Sequence, residues 1–367
     1  MNVSRIQHIQ TALKSQNLDF GFIQGKSNLF YLTGFRCEPH ERLVALIIPA
    51  DGAPVVIAPN MELNLIKEVG WQSEIIGYSD TDNPWSLIHT YLKSNQIGTE
   101  RIGIEASILT YQRALALQEL EEQNNELIDF EEVLLQTRLI KSQEERAILQ
   151  EAAKLADFGV EVGVQAIKKG ATELALIATI EYELKQKGIR EMSFDTLVLT
   201  GANSANPHGK PGLNAVQPGD FVLFDLGVVY EGYCSDITRT VAFQSVSEKQ
   251  HEIYETVLSA QLAAIEASKI GNTLGSIDQA ARTTIEEKGY GSYFPHRIGH
   301  GLGTDVHEWP SLNATNSMLL KPGMCYTIEP GIYVPNIGGV RIEDDMFIDQ
   351  TGPTCLTQFP KELQIIK

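Results

Sequence analysis

The stretch FDLGVVYEGYCSDITRT, from Phe224 to Thr240, reads as two apolar strands around a turn, yet it carries aspartates at 225 and 236. The neighbours Phe221, Val222, Leu223, Phe224, Val228 and Val229 have the composition of buried strand. A carboxylate among buried neighbours is costly unless something pairs with it. A tight turn at Tyr230-Glu231 or at Glu231-Gly232 puts both aspartates on one face of neighbouring strands, and the first register sets them directly opposite, with Cβ atoms roughly 5 Å apart. Either one carboxyl keeps a proton or a cation lies between them.

The rest of the C-terminal half sharpens the choice. IGHGLGTDVHE supplies His300 and His307 on a Gly-rich loop, YTIEPGIYV places Glu329 in an apolar strand, and GGVRIEDDM places Glu343 on a following strand. The last two strands can form a second hairpin, turned between Pro335 and Gly339. Four inward carboxylates and one imidazole hold too much negative charge for shared protons, whereas two divalent ions neutralise it. Oxygen ligands with one nitrogen suit Mn, Co, Zn or Fe, and paired ions turn water into hydroxide near neutral pH. The cysteines at 37, 234, 325 and 355 lack CxxC spacing, so they read as buried free thiols and not as a zinc or disulfide framework.

A chain of 367 residues is long for one core, which predicts two domains. With 43% apolar and 21% charged residues it is not a disordered chain. A net charge of -18 argues against nucleic acid as a partner, because that affinity comes from clustered Lys and Arg. The opening residues lack the continuous apolar core of a signal peptide and no stretch approaches bilayer length, so no membrane partner and a cytoplasmic location are expected.

Strand-like and helix-like segments alternate through the first 130 residues, including the runs LVALIIPA and PVVIAP joined by Asp51-Gly52, a hairpin signal. This predicts a compact α/β domain over 1–134. Over 135–367, helical patterns at about 142–168, 172–187, 247–268 and 273–288 alternate with antiparallel hairpins, which predicts an α+β layer and not a doubly wound sheet.

Asp225, Asp236, His300, Glu329 and Glu343, in this order and spacing, resemble the five ligands of the pita-bread metallopeptidases: methionine aminopeptidase, aminopeptidase P and prolidase. SFDT, NPHG, DLG, SDITRT, HRIGHGLG, IEPGIY and RIEDD look like the prolidase and aminopeptidase P branch, and FYLTGF extends the likeness to a creatinase-like N-terminal domain. The resemblance implies a homodimeric Xaa-Pro dipeptidase with two divalent ions per subunit, manganese first and Co or Zn as alternatives. Asp236, His300 and Glu329 would hold one ion and Asp225, through both oxygens, the other. Glu343 would bridge them and Asp236 would link the two. A hydroxide between the metals would attack the scissile carbonyl, and Glu329 would carry the proton to the leaving nitrogen.

His307 is then expected to donate to the carbonyl oxygen, and His208, in NPHG, to touch the carbonyl side near proline. Arg341 is expected to clamp the substrate's terminal carboxylate, with Arg297 a second candidate. Taken singly, Asp225 and Asp236 read as strand-end caps, His300 as a loop residue between glycines, and Arg341 as a salt-bridge partner of Glu343 or Asp344. In RCEPHERL, the residues Glu38, His40, Glu41 and Arg42 read as a solvated loop; in prolidases this domain's loops can reach the partner's cleft, which would make His40 and Arg42 substrate-binding. Two other readings stand beside this one: an aminopeptidase P acting on longer X-Pro peptides, and a non-catalytic module that binds peptides.

Overall fold

A computed structural model describes residues 3–120 and 125–367. The chain divides into two compact units, Met1–Arg138 and Leu139–Lys367. The division falls at the end of the Glu131–Leu139 helix, and the expected boundary at 134/135 lies inside that helix.

In the N-terminal unit six strands form one sheet in the order Ile75–Tyr78, Val55–Pro59, Ala45–Pro49, Phe20–Ile23, Arg101–Ile104, Glu126–Asp129. Ala45–Pro49 runs antiparallel to both neighbours and the remaining pairs are parallel. Both faces are covered, so alternate residues feed two cores. Leu46, Ile48 and Ile23 pack with Ile9 and Leu13, while Ala45, Ile47, Phe20 and Phe22 pack with Ile88 and Leu92. That is why these strands read as continuous apolar runs.

The C-terminal unit uses one plan twice: two helices, then a long hairpin. Gln143–Gln165 and Glu173–Gln186 precede the first hairpin; Glu248–Ala267 and Leu274–Glu287 precede the second. Each first helix opens with a capping box, Ser142 with Glu145 and Ser247 with Gln250, and each second helix opens on a threonine cap, Thr172 and Thr273. One sheet has the order Leu197–Thr200, Phe221–Leu226, Ile237–Phe243, Ile365–Ile366. The other has the order Glu308–Leu312, Gly299–Gly301, Cys325–Ile328, Asp344–Asp349, Gly352–Cys355. Helices alternating with antiparallel hairpins make this unit α+β.

Close approach of helix to strand fixes where the first hairpin lies. Gly159 and Gly163 face it from the Gln143–Gln165 helix, and a Cβ on Gly163 would stand 2.7 Å from the Phe224 ring and 2.8 Å from Ile180 Cδ1. Alanine there gains up to about 1 kcal/mol of helix propensity, but overpacking a ring in a filled core costs about 1–3 kcal/mol. The second effect wins. Gly163→Ala should therefore lower the urea midpoint at unchanged m-value, and a higher midpoint would refute the packing argument.

Candidate metal centre

The first hairpin turns at Glu231-Gly232, with φ of 47° and 83° at the two positions. Positive φ at both is the geometry that matches the twist of paired strands. This is the second of the two registers open to the sequence. Asp225 is paired with Thr238, so Asp236 sits diagonal to Asp225 on the shared face and not directly opposite it. The ladder breaks just where the carboxylates lie. Gly227 admits no side chain, since its Cβ would fall 1.8 Å from the Ser235 carbonyl oxygen, and the Asp236 N–H donates to Asp345 Oδ2 at 3.1 Å.

The second hairpin is broken in the same manner. Ile328 pairs with Asp344 and Gly331 with Arg341, one register on both sides of a gap, which sets Glu329 against Glu343. Pro330 in the gap has no N–H to give. The neighbouring amides turn elsewhere: Glu343 N–H donates to Thr238 O at 3.0 Å, and Glu329 N–H to Ile298 O at 2.7 Å. The two gaps are thereby stitched to the elements beside them.

His300 lies on Gly299–Gly301. A Cβ on Gly299 would meet Thr327 O at 1.9 Å and one on Gly301 would meet Trp309 O at 2.5 Å, so these glycines admit neighbouring strands, where the sequence suggested an approach to the metal itself. The ring nitrogen Nδ1 of His300 lies 3.1 Å from Gly301 O. Assigning the proton to that nitrogen leaves a lone pair on Nε2. Nε2 faces Asp236 Oδ2 at 3.7 Å and Glu329 Oε1 at 3.5 Å. Burial, with His307 next, pushes His300 down to about 3, so the imidazole is neutral at pH 7. A lone pair aimed at carboxylates needs a cation between them.

Asp236, His300 and Glu343 offer ligand atoms within 4.8 Å of one another, all buried. Burial, and then the charge of Glu343, raises Asp236 and Glu329 above the usual carboxylate range. Glu343 is pushed up to about 7 by burial and by Asp225. Asp236 Oδ1 is buried with no hydrogen-bond partner. Buried oxygens without donors, crowded beside an unprotonated nitrogen, are a donor set for a hard divalent cation. Thr238 holds Glu343 in place, its hydroxyl donating to Oε2 at 2.6 Å.

The other expected residues fall as follows. His307 packs edge-on to His300, ring centroids 4.2 Å apart, and burial with Arg297 lowers its pKa. His208 is exposed, and its charge acts on His296 and His307. Arg297 donates to Ser311 Oγ at 3.1 Å, and its charge reaches His300, His307 and Glu329.

Arg341 differs from expectation. Each of its three side-chain nitrogens already has a protein partner: Nε donates to Thr238 Oγ1 at 3.0 Å, Nη1 to the Tyr333 hydroxyl at 2.8 Å, and Nη2 to Asp225 Oδ2. It is buried, and its ion pair is with Asp225 and not with Glu343 or Asp344. Glu38, His40, Glu41 and Arg42 belong to the N-terminal unit. There Arg42 pairs with Asp80 at 2.9 Å and Glu41 at 3.1 Å, Glu38 pairs with Lys26, and His40 is exposed.

Several residues of the site escaped sequence reasoning. Tyr333 donates to His296 Nε2 at 3.0 Å when Nδ1 of that ring donates to Arg297 O. Arg239, fully buried, pairs with Asp344 at 2.7 Å and donates to the carbonyls of Glu343, Thr238 and Phe359. A signal existed: Thr238 and Arg239 are polar residues inside an apolar strand, as Asp225 and Asp236 are.

A gapped strand framework that gathers five such ligand types describes a metal-dependent hydrolase. The model of metallopeptidase family M24 matches residues 147–350, and that of the creatinase/prolidase N-terminal domain matches residues 5–140. The chain belongs to the M24 metallopeptidase family, whose members use divalent metal ions. It is 52% identical over 364 residues to the Bacillus subtilis (strain 168) protein named "Putative dipeptidase YkvY", covering 99% of this chain and 100% of that one. The structure of an Xaa-Pro dipeptidase from Bacillus anthracis superposes with a TM-score of 0.92 at 34% identity, covering 99% of both chains. An X-Pro aminopeptidase from Thermotoga maritima superposes at 0.86 and 28% identity, covering 95% of this chain and 98% of that one.

Metal affinity should fall as pH drops through about 7. Glu343 holds a proton below that value and must lose it to bind an ion, so binding competes with protonation. Titration calorimetry with Mn2+ at pH 6 and pH 8 should find tighter binding at pH 8; equal affinity would remove Glu343 from the ligand set.

Proposed function

We propose that this metallopeptidase hydrolyses the X-Pro bond of dipeptides. The observation that supports this reading is the buried cluster of Asp236, His300 and Glu343, with Glu329 Oε1 3.5 Å from the His300 ring, in a chain whose full length resembles an Xaa-Pro dipeptidase. In this reading Asp225, Asp236, His300, Glu329 and Glu343 would hold two divalent ions. Ligand type does not choose among Mn2+, Co2+ and Zn2+, and the likeness to the family suggests manganese. Such ions supply Lewis acidity and make water a nucleophile near neutral pH.

The chain's own groups do the rest. Glu329, as a carboxylate, takes the proton released on attack and hands it to the leaving nitrogen. His307 donates to the carbonyl oxygen as charge develops there. His208 contacts the carbonyl side near the proline ring. Arg297, partly exposed and held by Ser311, offers its guanidinium to the terminal carboxylate beside the candidate Arg341, which favours dipeptides over longer chains. A homodimer in the cytoplasm is the expected setting, and His40 and Arg42 the residues to test for contact with a partner's substrate.

Chelator-treated protein reloaded with Mn2+ should cleave Ala-Pro faster than Ala-Pro-Ala; preference for the tripeptide would favour aminopeptidase P activity, and peptide binding without turnover would favour a recognition module. Arg297→Ala should raise KM for Ala-Pro at least tenfold, the loss of about 1.4 kcal/mol of carboxylate binding, and narrow that preference. His307→Ala should lower kcat with metal content unchanged, and equal loss of both would make His307 a ligand.

A further inference from the structure

Glu173 is the first helical residue after the Thr172 cap and is completely buried. Its carboxylate is saturated with donors. Oε1 accepts from Thr200 N–H at 2.8 Å and Asn203 Nδ2 at 2.9 Å, and Oε2 accepts from Gly212 N–H at 2.7 Å and Asn214 Nδ2 at 3.0 Å. These donors grip both ends of the 201–214 segment, the segment that carries His208. In its middle Ser204 Oγ accepts from Gly339 N–H at 2.9 Å, and a Cβ on Gly339 would fall 2.0 Å from Ser204 O. Between these anchors Asn206, His208 and Lys210 are exposed and Leu213 is 80% exposed. A polar segment with so little burial has no packing of its own to define its place.

The second half of the unit supplies an internal control. Thr172 bridges Ala215 as Thr273 bridges Leu319. Glu173 N–H and Leu174 N–H donate to Asn214 O and Gly212 O, as Leu274 N–H and Gly275 N–H donate to Met318 O and Asn316 O. The position of Glu173 is taken there by Leu274, buried and apolar. This helix start therefore forms without a carboxylate. What distinguishes the first copy is the segment the carboxylate holds.

We propose that Glu173 is a positioning residue for peptide hydrolysis, acting through His208. Its carboxylate, bonded to Thr200, Asn203, Gly212 and Asn214, holds both ends of the segment and so sets where the exposed His208 between them stands. The proposal rests on the reading of His208 as a substrate contact. Glu173 touches neither substrate nor metal.

The experiment compares Glu173→Leu, which copies the second half, and Glu173→Gln, each alone and combined with His208→Ala. It reads kcat and KM for Ala-Pro, metal content, and deuterium uptake. Each single variant should keep wild-type metal content and lose about ten- to a hundredfold in kcat/KM, the scale of a misplaced contact. Adding His208→Ala should cost nothing further. Uptake should rise in 201–214 and not in the Gln143–Gln165 helix. Losses that multiply in the double variants, unchanged uptake in 201–214, or metal lost in step with activity would each overturn the proposal. Should Glu173→Leu fail to fold, Glu173→Gln, with one acceptor oxygen kept, decides alone by the same readings. A wild-type protein inactive on Ala-Pro would sink the dipeptidase reading, and the uptake comparison would still decide whether Glu173 holds the segment.

Discussion

Mutual repulsion among buried carboxylates is the constraint around which the C-terminal unit is arranged. Burial first, and then repulsion within the group Asp225, Asp236, Glu329 and Glu343, raises the pKa values of Asp236, Glu329 and Glu343. Water would screen such a group, but burial removes it. A fold that keeps these side chains inward must supply positive charge, and only part of it comes from the protein. Arg341 reaches Asp225 from behind, while the face toward His300 has an unprotonated nitrogen and an unpartnered oxygen of Asp236. The remaining charge must come from bound cations, which is what family membership implies.

The strands accommodate this by being incomplete. In an antiparallel pair only alternate residues bond across the hairpin, and the amides between them point outward. Here the regular pairing breaks at Gly227 and Asp236 in one hairpin and at Pro330 and Glu343 in the other, and the outward amides of Asp236, Glu343 and Glu329 bond to Asp345, Thr238 and Ile298. Those bonds join one hairpin to the next. Beneath them Arg239 gathers the carbonyls of Glu343 and Thr238 with the carboxylate of Asp344, so the strand positions next to the ligands are fixed by a fully buried, fully paired group.

Much of this was legible in the chain because the signals are local. Apolar strands interrupted by carboxylates pointed to four candidate ligands and a Gly-rich loop to His300, helical patterns marked the helices within a few positions, and scattered cysteines argued against a thiolate site. The bonding of Arg341 was hidden because two of its partners are remote in sequence: Thr238 lies 103 residues away and Asp225 116. Nothing in RIEDD separates an arginine that faces substrate from one that faces Asp225. Glu173 was invisible for the same reason. A glutamate at a helix start is ordinary, and its four donors come from up to 41 residues further along.

Residue types and their spacing were thus enough to single out the candidate side chains, because a charged group inside an apolar period is written locally. Pairing register, the choice between two equally plausible turns, the partners of each arginine and the anchoring of the His208 segment emerged only in three dimensions. Each of these depends on hydrogen bonds closed between distant parts of the chain, and no local pattern encodes which distant donor arrives.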